Sequence, residues 1–105
     1  MKPKLMRELR IRGIILELLK SDPQGFVDIT DLQGRIYLFG YALLIEEILP
    51  HIRYLADRGY VRIEKKYGGS IIHIYITSKG DDLVRCVIDE DPGVLIPRCE
   101  RPGEQ

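Results

Sequence analysis

Gly59 sets the strongest constraint on this chain, because the residues on its two sides follow different periods. Before it, Tyr41, Ile45, Ile48, Ile52 and Leu55 recur at intervals of four and three, the stripe of a half-buried helix. After it, Tyr60-Val61-Arg62-Ile63-Glu64-Lys65-Lys66 alternates at period two, and Ile72, Ile74 and Ile76 then alternate with His73, Tyr75 and Thr77. Tyr67-Gly68-Gly69-Ser70 supplies the turn between the two runs. A helix closed by a left-handed glycine and followed by an antiparallel hairpin is expected, and with it an α+β fold.

The flanking segments complete the layout. Leu5, Leu9, Arg12, Ile15, Leu16 and Leu19 predict a first helix over residues 4–20, stopped by Ser21-Asp22-Pro23-Gln24-Gly25. Phe26-Val27-Asp28 reads as a short extended piece. Asp28 or Thr30 then caps a second helix whose buried face is Leu32, Ile36 and Phe39. The third helix is expected from Tyr41 to about Arg58. Pro50 interrupts it, either as a bend in a continuous helix or as the first residue of a shorter one, and the unbroken apolar register favours the bend. Thr77 or Ser78 caps a last helix to about Ile88. The domain is expected over residues 1–88, with 89–105 as an extended or flexible tail.

At 105 residues the chain has the length of one domain. No apolar run approaches the roughly 18 residues that span a bilayer, and the N-terminus has no apolar leader, so a cytoplasmic location is expected. A bridge between Cys86 and Cys99 is open to the chain, but a reducing cytosol favours two thiols, with Cys86 a small core residue on the last helix. The formal net charge is zero, yet it is unevenly spread: residues 1–20 carry +4, 21–59 carry −3, 60–80 carry +3 and 81–105 carry −4. Positive charge collects at the N-terminus and on the hairpin.

Nothing in the pattern points to an enzyme, a cofactor, a small-molecule substrate or a metal. His51 and His73 lie on different elements without metal-type spacing to either cysteine. Gly68-Gly69 lacks the following helix that a phosphate loop requires.

The element order, with Leu55, Gly59-Tyr60-Val61 and the later Ile76-Thr77-Ser78-Lys79-Gly80, resembles the winged helix-turn-helix fold over residues 5–88. That implies a three-helix core, a two-stranded wing with a short third strand, and a C-terminal helix. Arg53-Tyr54-Leu55-Ala56-Asp57-Arg58-Gly59, Gly80-Asp81-Asp82-Leu83-Val84 and Asp91-Pro92-Gly93-Val94 are similar to stretches of small winged-helix proteins of Mu-like prophages, a family without a settled activity. Phe26-Val27-Asp28 departs from the Pro-Tyr-Gly entry that is usual there.

The resemblance implies a DNA-binding regulator with its third helix in the major groove of double-stranded DNA and its wing on the backbone. The helix residues expected at DNA are His51, Arg53 and Tyr54, on a face that also shows Glu46, Glu47, Pro50 and Asp57. Two glutamates at a groove-facing helix start oppose phosphate, although the same residues favour the helix dipole. On the wing, Arg62, Lys65, Lys66, Tyr67, Gly68, Gly69 and Ser70 read equally as a phosphate contact and as a solvated strand edge. A homodimer through Leu83, Val84 and Val87 is expected, unless those residues only close the core. The alternative use of the same fold is a protein-interaction module without DNA.

Overall fold

The period change at Gly59 is realised as a helix end and a hairpin. In the computed structural model, which describes residues 3–99 and the side chains among them except Pro3, Lys4 and Arg98, the order is α1 (Pro3–Ser21), β1 (Phe26–Asp28), α2 (Ile29–Leu38), α3 (Ile45–Asp57), β2 (Val61–Lys66), β3 (Ile71–Ile76) and α4 (Ser78–Val84). Short 3-10 turns follow β2 (Tyr67–Gly69) and end the described chain (Pro97–Cys99). The three strands form one antiparallel sheet in the order β1-β3-β2, so the fold is α+β.

Gly59 closes α3 as the pattern requires. Its φ is 84°, its N–H donates to the Ala56 carbonyl, and the Tyr60 N–H donates to the Leu55 carbonyl, each at 2.9 Å. These are the paired bonds of a Schellman cap, which only a left-handed residue permits at low cost. The chain then enters β2 in the register Val61↔Ile76, Ile63↔Ile74 and Lys66↔Ile71. β1 joins the other edge of β3 through Val27↔Ile74.

Helix ends are set by local chemistry. Asp28 caps α2, accepting from the Thr30 N–H at 2.8 Å, and Thr77 caps α4, accepting from the Gly80 N–H at 3.1 Å. α3 starts at Ile45 rather than Tyr41, because Gly40 (φ 98°) and the extended Leu44 before the helix break the run. The Glu47 carboxylate accepts the Leu44 N–H at 2.8 Å, half of a capping box. Pro50 lies inside α3, and the helix continues through it. The bound face explains why: Ile48, Ile52 and Leu55 are fully buried on both sides of the proline. α4 is shorter than its apolar pattern suggests. It ends at Val84, and Cys86 turns the chain with a φ of 64°.

α1 is the spine, with Ile11, Ile15, Leu16 and Leu19 buried against α2, α3, α4 and the sheet. Residues 91–99 pack on the domain, contrary to the loose tail that their prolines suggest. Val94, Ile96 and Cys99 join the core, and the Leu95 N–H donates to the Leu9 carbonyl at 3.1 Å. Residues 100–105 lie outside the described residues.

Gly13 makes this packing possible. A Cβ there would stand 1.9 Å from the Leu95 carbonyl oxygen. Mid-helix glycine to alanine ordinarily gains about 1 kcal/mol, but overpacking against backbone costs about 1–3 kcal/mol. Gly13→Ala is therefore expected to destabilise, by up to about 2 kcal/mol, in urea unfolding. Gly34→Ala, at an α2 position with nothing within 4 Å, is expected to stabilise by about 0.5–1 kcal/mol. Equal shifts for the two variants would contradict the close approach of the C-terminal segment.

Candidate nucleic-acid interface

The hairpin presents its cations on an exposed ribbon. Strand alternation puts Arg62, Glu64 and Lys66 on the face away from the core, with Val61 and Ile63 turned inward. Lys65 and Lys66 are exposed at the strand end and form no ion pair among the described residues. Arg62 lies over the Tyr75 ring, its Cζ 4.2 Å from the centroid, and pairs with Glu64. The tip is Tyr67-Gly68-Gly69-Ser70. Tyr67 is 79% exposed and has a φ of 55°, an uncommon conformation for a residue with a side chain. Gly68 and Gly69 (φ 68° and 93°) follow it around the turn, and the Ser70 hydroxyl donates to the Tyr67 carbonyl at 2.8 Å.

On α3, only Arg53 of the three expected contact residues is free at the surface. His51 is buried against α1, where its Nδ1 accepts from Arg12 Nε at 3.2 Å. Burial and the nearby Arg12 charge hold its pKa below the usual histidine value. Tyr54 is half-buried, and its hydroxyl donates to Asp91 at 2.7 Å. Neither side chain faces a groove. The exposed side of α3 shows Glu46, Glu47, Pro50, Arg53 and Asp57, an acidic surface with one free cation among them.

Two of the three expected dimer residues are not at a surface. Leu83 and Val84 are in the core, so their apolar surface is already used inside one chain, and only Val87 is exposed. The last helix closes the core.

A comparison with protein-family models, curated proteins and solved structures returns no match. The functional reading of the chain therefore rests on its own geometry.

Two features escaped the sequence pattern. Cys86 and Cys99 are joined in a disulfide, with Cα atoms 5.4 Å apart, which overturns the expectation of two thiols. The bridge closes a segment that carries the second feature. Asp91 is 6% exposed and accepts from the Tyr54 and Tyr60 hydroxyls and the Gly93 N–H, each at 2.7 Å, and from Arg58 at 3.3 Å. Arg12 Nη1 donates to the Gly93 carbonyl at 3.1 Å, and the Arg12 and Arg58 guanidiniums both lie against the Tyr54 ring. Burial alone would raise the Asp91 pKa, but its donors outweigh that and hold it below the usual carboxylate value. The same contact, added to burial, pushes the Tyr60 hydroxyl up to about 12. The bond from Asp91 back to the Gly93 N–H is an Asx turn, and Asp-Pro-Gly was its one visible signal.

Among the described residues no group of three or more His, Cys, Asp or Glu is placed to hold a metal ion, and no helix is long and apolar enough to cross a membrane.

Proposed function

We propose that this chain is a winged-helix protein that binds double-stranded DNA through its basic hairpin and acts as a regulator of bacterial or prophage type. The observation that carries the reading is the exposed pair Lys65-Lys66, which forms no salt bridge among the described residues, beside the Tyr67-Gly68-Gly69-Ser70 tip. The order α1-β1-α2-α3-β2-β3, with β1 on the edge of the hairpin sheet, supports it. The contact is with the phosphate backbone, where lysine acts as a mobile point charge. α3 contributes Arg53 and little else, so sequence discrimination is weak.

Titration of a labelled duplex across a salt series tests this. Affinity should fall steeply with salt, and Lys65→Glu combined with Lys66→Glu should weaken binding at least about tenfold and flatten the salt slope by about 2, since each phosphate contact contributes about 0.9. No binding at low ionic strength would remove the DNA reading.

The acidic exposed side of α3 favours a second reading, a protein-interaction module on the same fold. Glu46, Glu47 and Asp57 oppose phosphate and suit a basic partner surface.

A further inference from the structure

Arg12 is half-buried on α1, and among the described residues no acid forms a salt bridge with it. Its guanidinium donates instead to two neutral groups, the Nδ1 of buried His51 at 3.2 Å and the Gly93 carbonyl at 3.1 Å. An imidazole that accepts at Nδ1 is uncharged, with its proton on Nε2. A protonated ring has no lone pair to offer, and it sets a second positive charge against the first. The same guanidinium therefore reads the state of His51 on α3 and ties down the C-terminal segment. Two residues past that tie, the Leu95 N–H donates to the Leu9 carbonyl at 3.1 Å. Val94, Leu95 and Ile96 here wall a hollow of about 200 Å³ shared with Leu9 and Leu83.

We propose that His51 is an acid-operated catch, whose protonation drives Arg12 away and loosens residues 91–97 from α1. Three charged groups of α1 act on the ring: Arg12 and Arg7 oppose its protonation, and Glu8 favours it without reversing the balance. On α3, Tyr54 is committed to Asp91, and on the segment Asp91 is held by Tyr54, Tyr60 and Arg58. Burial, and after it the Arg12 charge, hold the folded pKa of His51 below the ordinary value. In the open form water reaches the ring, and its pKa moves toward the ordinary one of about 6.5. The open form thus takes up the proton first as pH falls. Docking of the segment is complete above about pH 6.5 and is lost progressively below it. The Cys86–Cys99 bridge keeps the loosened segment attached, so the change is reversible. No hairpin residue takes part, and the proposal stands apart from the DNA reading.

Amide hydrogen exchange of the full chain from about pH 7.5 to about pH 5 tests it, read as protection factors to remove the intrinsic pH dependence of exchange. The Leu95 amide should lose protection by up to about tenfold per pH unit below about pH 6.5, the slope for one proton. The Thr77 amide, bonded to the Tyr60 carbonyl at 3.0 Å, should keep its protection, which separates local release from global unfolding. His51→Asn keeps an acceptor oxygen near the Nδ1 position and does not titrate, so its Leu95 protection should stay flat over the same range. Where that variant does not fold, the wild-type ring resonances decide, because a His51 titration midpoint at or above about 6.5 removes the driving force and overturns the proposal. Leu95 protection that is constant with pH, or that falls equally in His51→Asn, overturns it as well. So does a parallel loss at Thr77, which would make the acid effect one of the whole fold.

Discussion

Asp91→Ala is expected to lower the unfolding free energy by about 2–4 kcal/mol, because several donors lose the acceptor they share. The substitution removes the acceptor of four donors, of which Arg58 is half-exposed and turns to water. The Tyr60 hydroxyl is inside the core, the Tyr54 hydroxyl and the Gly93 N–H are enclosed beside it, and Arg58 loses its only acid among the described residues. Leaving each buried donor unmet costs more than its bond contributes when formed. Asp91→Asn is the milder control, because one amide oxygen still accepts while the charge-assisted part is lost. Urea unfolding at neutral pH should rank wild type above Asp91→Asn and Asp91→Ala last.

The pH dependence is set by the direction of the shift. Asp91 has a lower pKa folded than unfolded, so the unfolded state binds its proton first as pH falls. Its contribution is present above the ordinary carboxylate value and is lost as pH drops through the folded one. The gap between wild type and Asp91→Asn should therefore close below about pH 4. A gap that persists unchanged into acid would mean that the carboxylate charge is not what the hydroxyls hold.

How far the sequence could be read depends on which signals are periodic. The Gly59 cap, the antiparallel hairpin of β2 and β3 and the span of α1 were legible, since each follows from spacing alone. His51 was also readable by spacing, lying three residues after Ile48 and four before Leu55, but its polar identity argued for the surface. Arg12 settles the matter by donating to its Nδ1, which gives a buried imidazole a partner. Phe39 shows the reverse error: its spacing continued a helix that had already ended.

The least legible part is the segment after Val84. Its core residues, Val94, Ile96 and Cys99, follow no helical or strand period. What holds them is tertiary: an Asp91 carboxylate under two tyrosines, and a glycine in α1 that admits the Leu95 carbonyl. Neither partner lies near in sequence. The prolines of this stretch suggested a loose tail, and only the convergence of donors on Asp91 makes its burial tolerable.

The Cys86–Cys99 bridge is the other tie on that segment, and its removal carries the second large effect. The cysteines are 13 residues apart, a loop for which constraint of the unfolded chain is worth about 3 kcal/mol. Reduction of the wild-type chain should lower the unfolding free energy by up to that amount at neutral pH. Reduction is the cleaner perturbation, because it leaves both side chains in place and opens no cavity beside Leu83 and Val84. Two opposing terms decide how much of the full value appears. Cys86 holds a φ of 64°, so releasing it relieves about 1 kcal/mol of left-handed strain. The Asp91 network still pins the segment, so the folded state loses little packing. Cys86→Ala with Cys99→Ala should match the reduced wild type to within about 1 kcal/mol, the difference being the small volume lost at the buried Cys99. Adding reductant to that double variant should change nothing. An identical unfolding midpoint for wild type with and without reductant would show that the bridge does not constrain the chain.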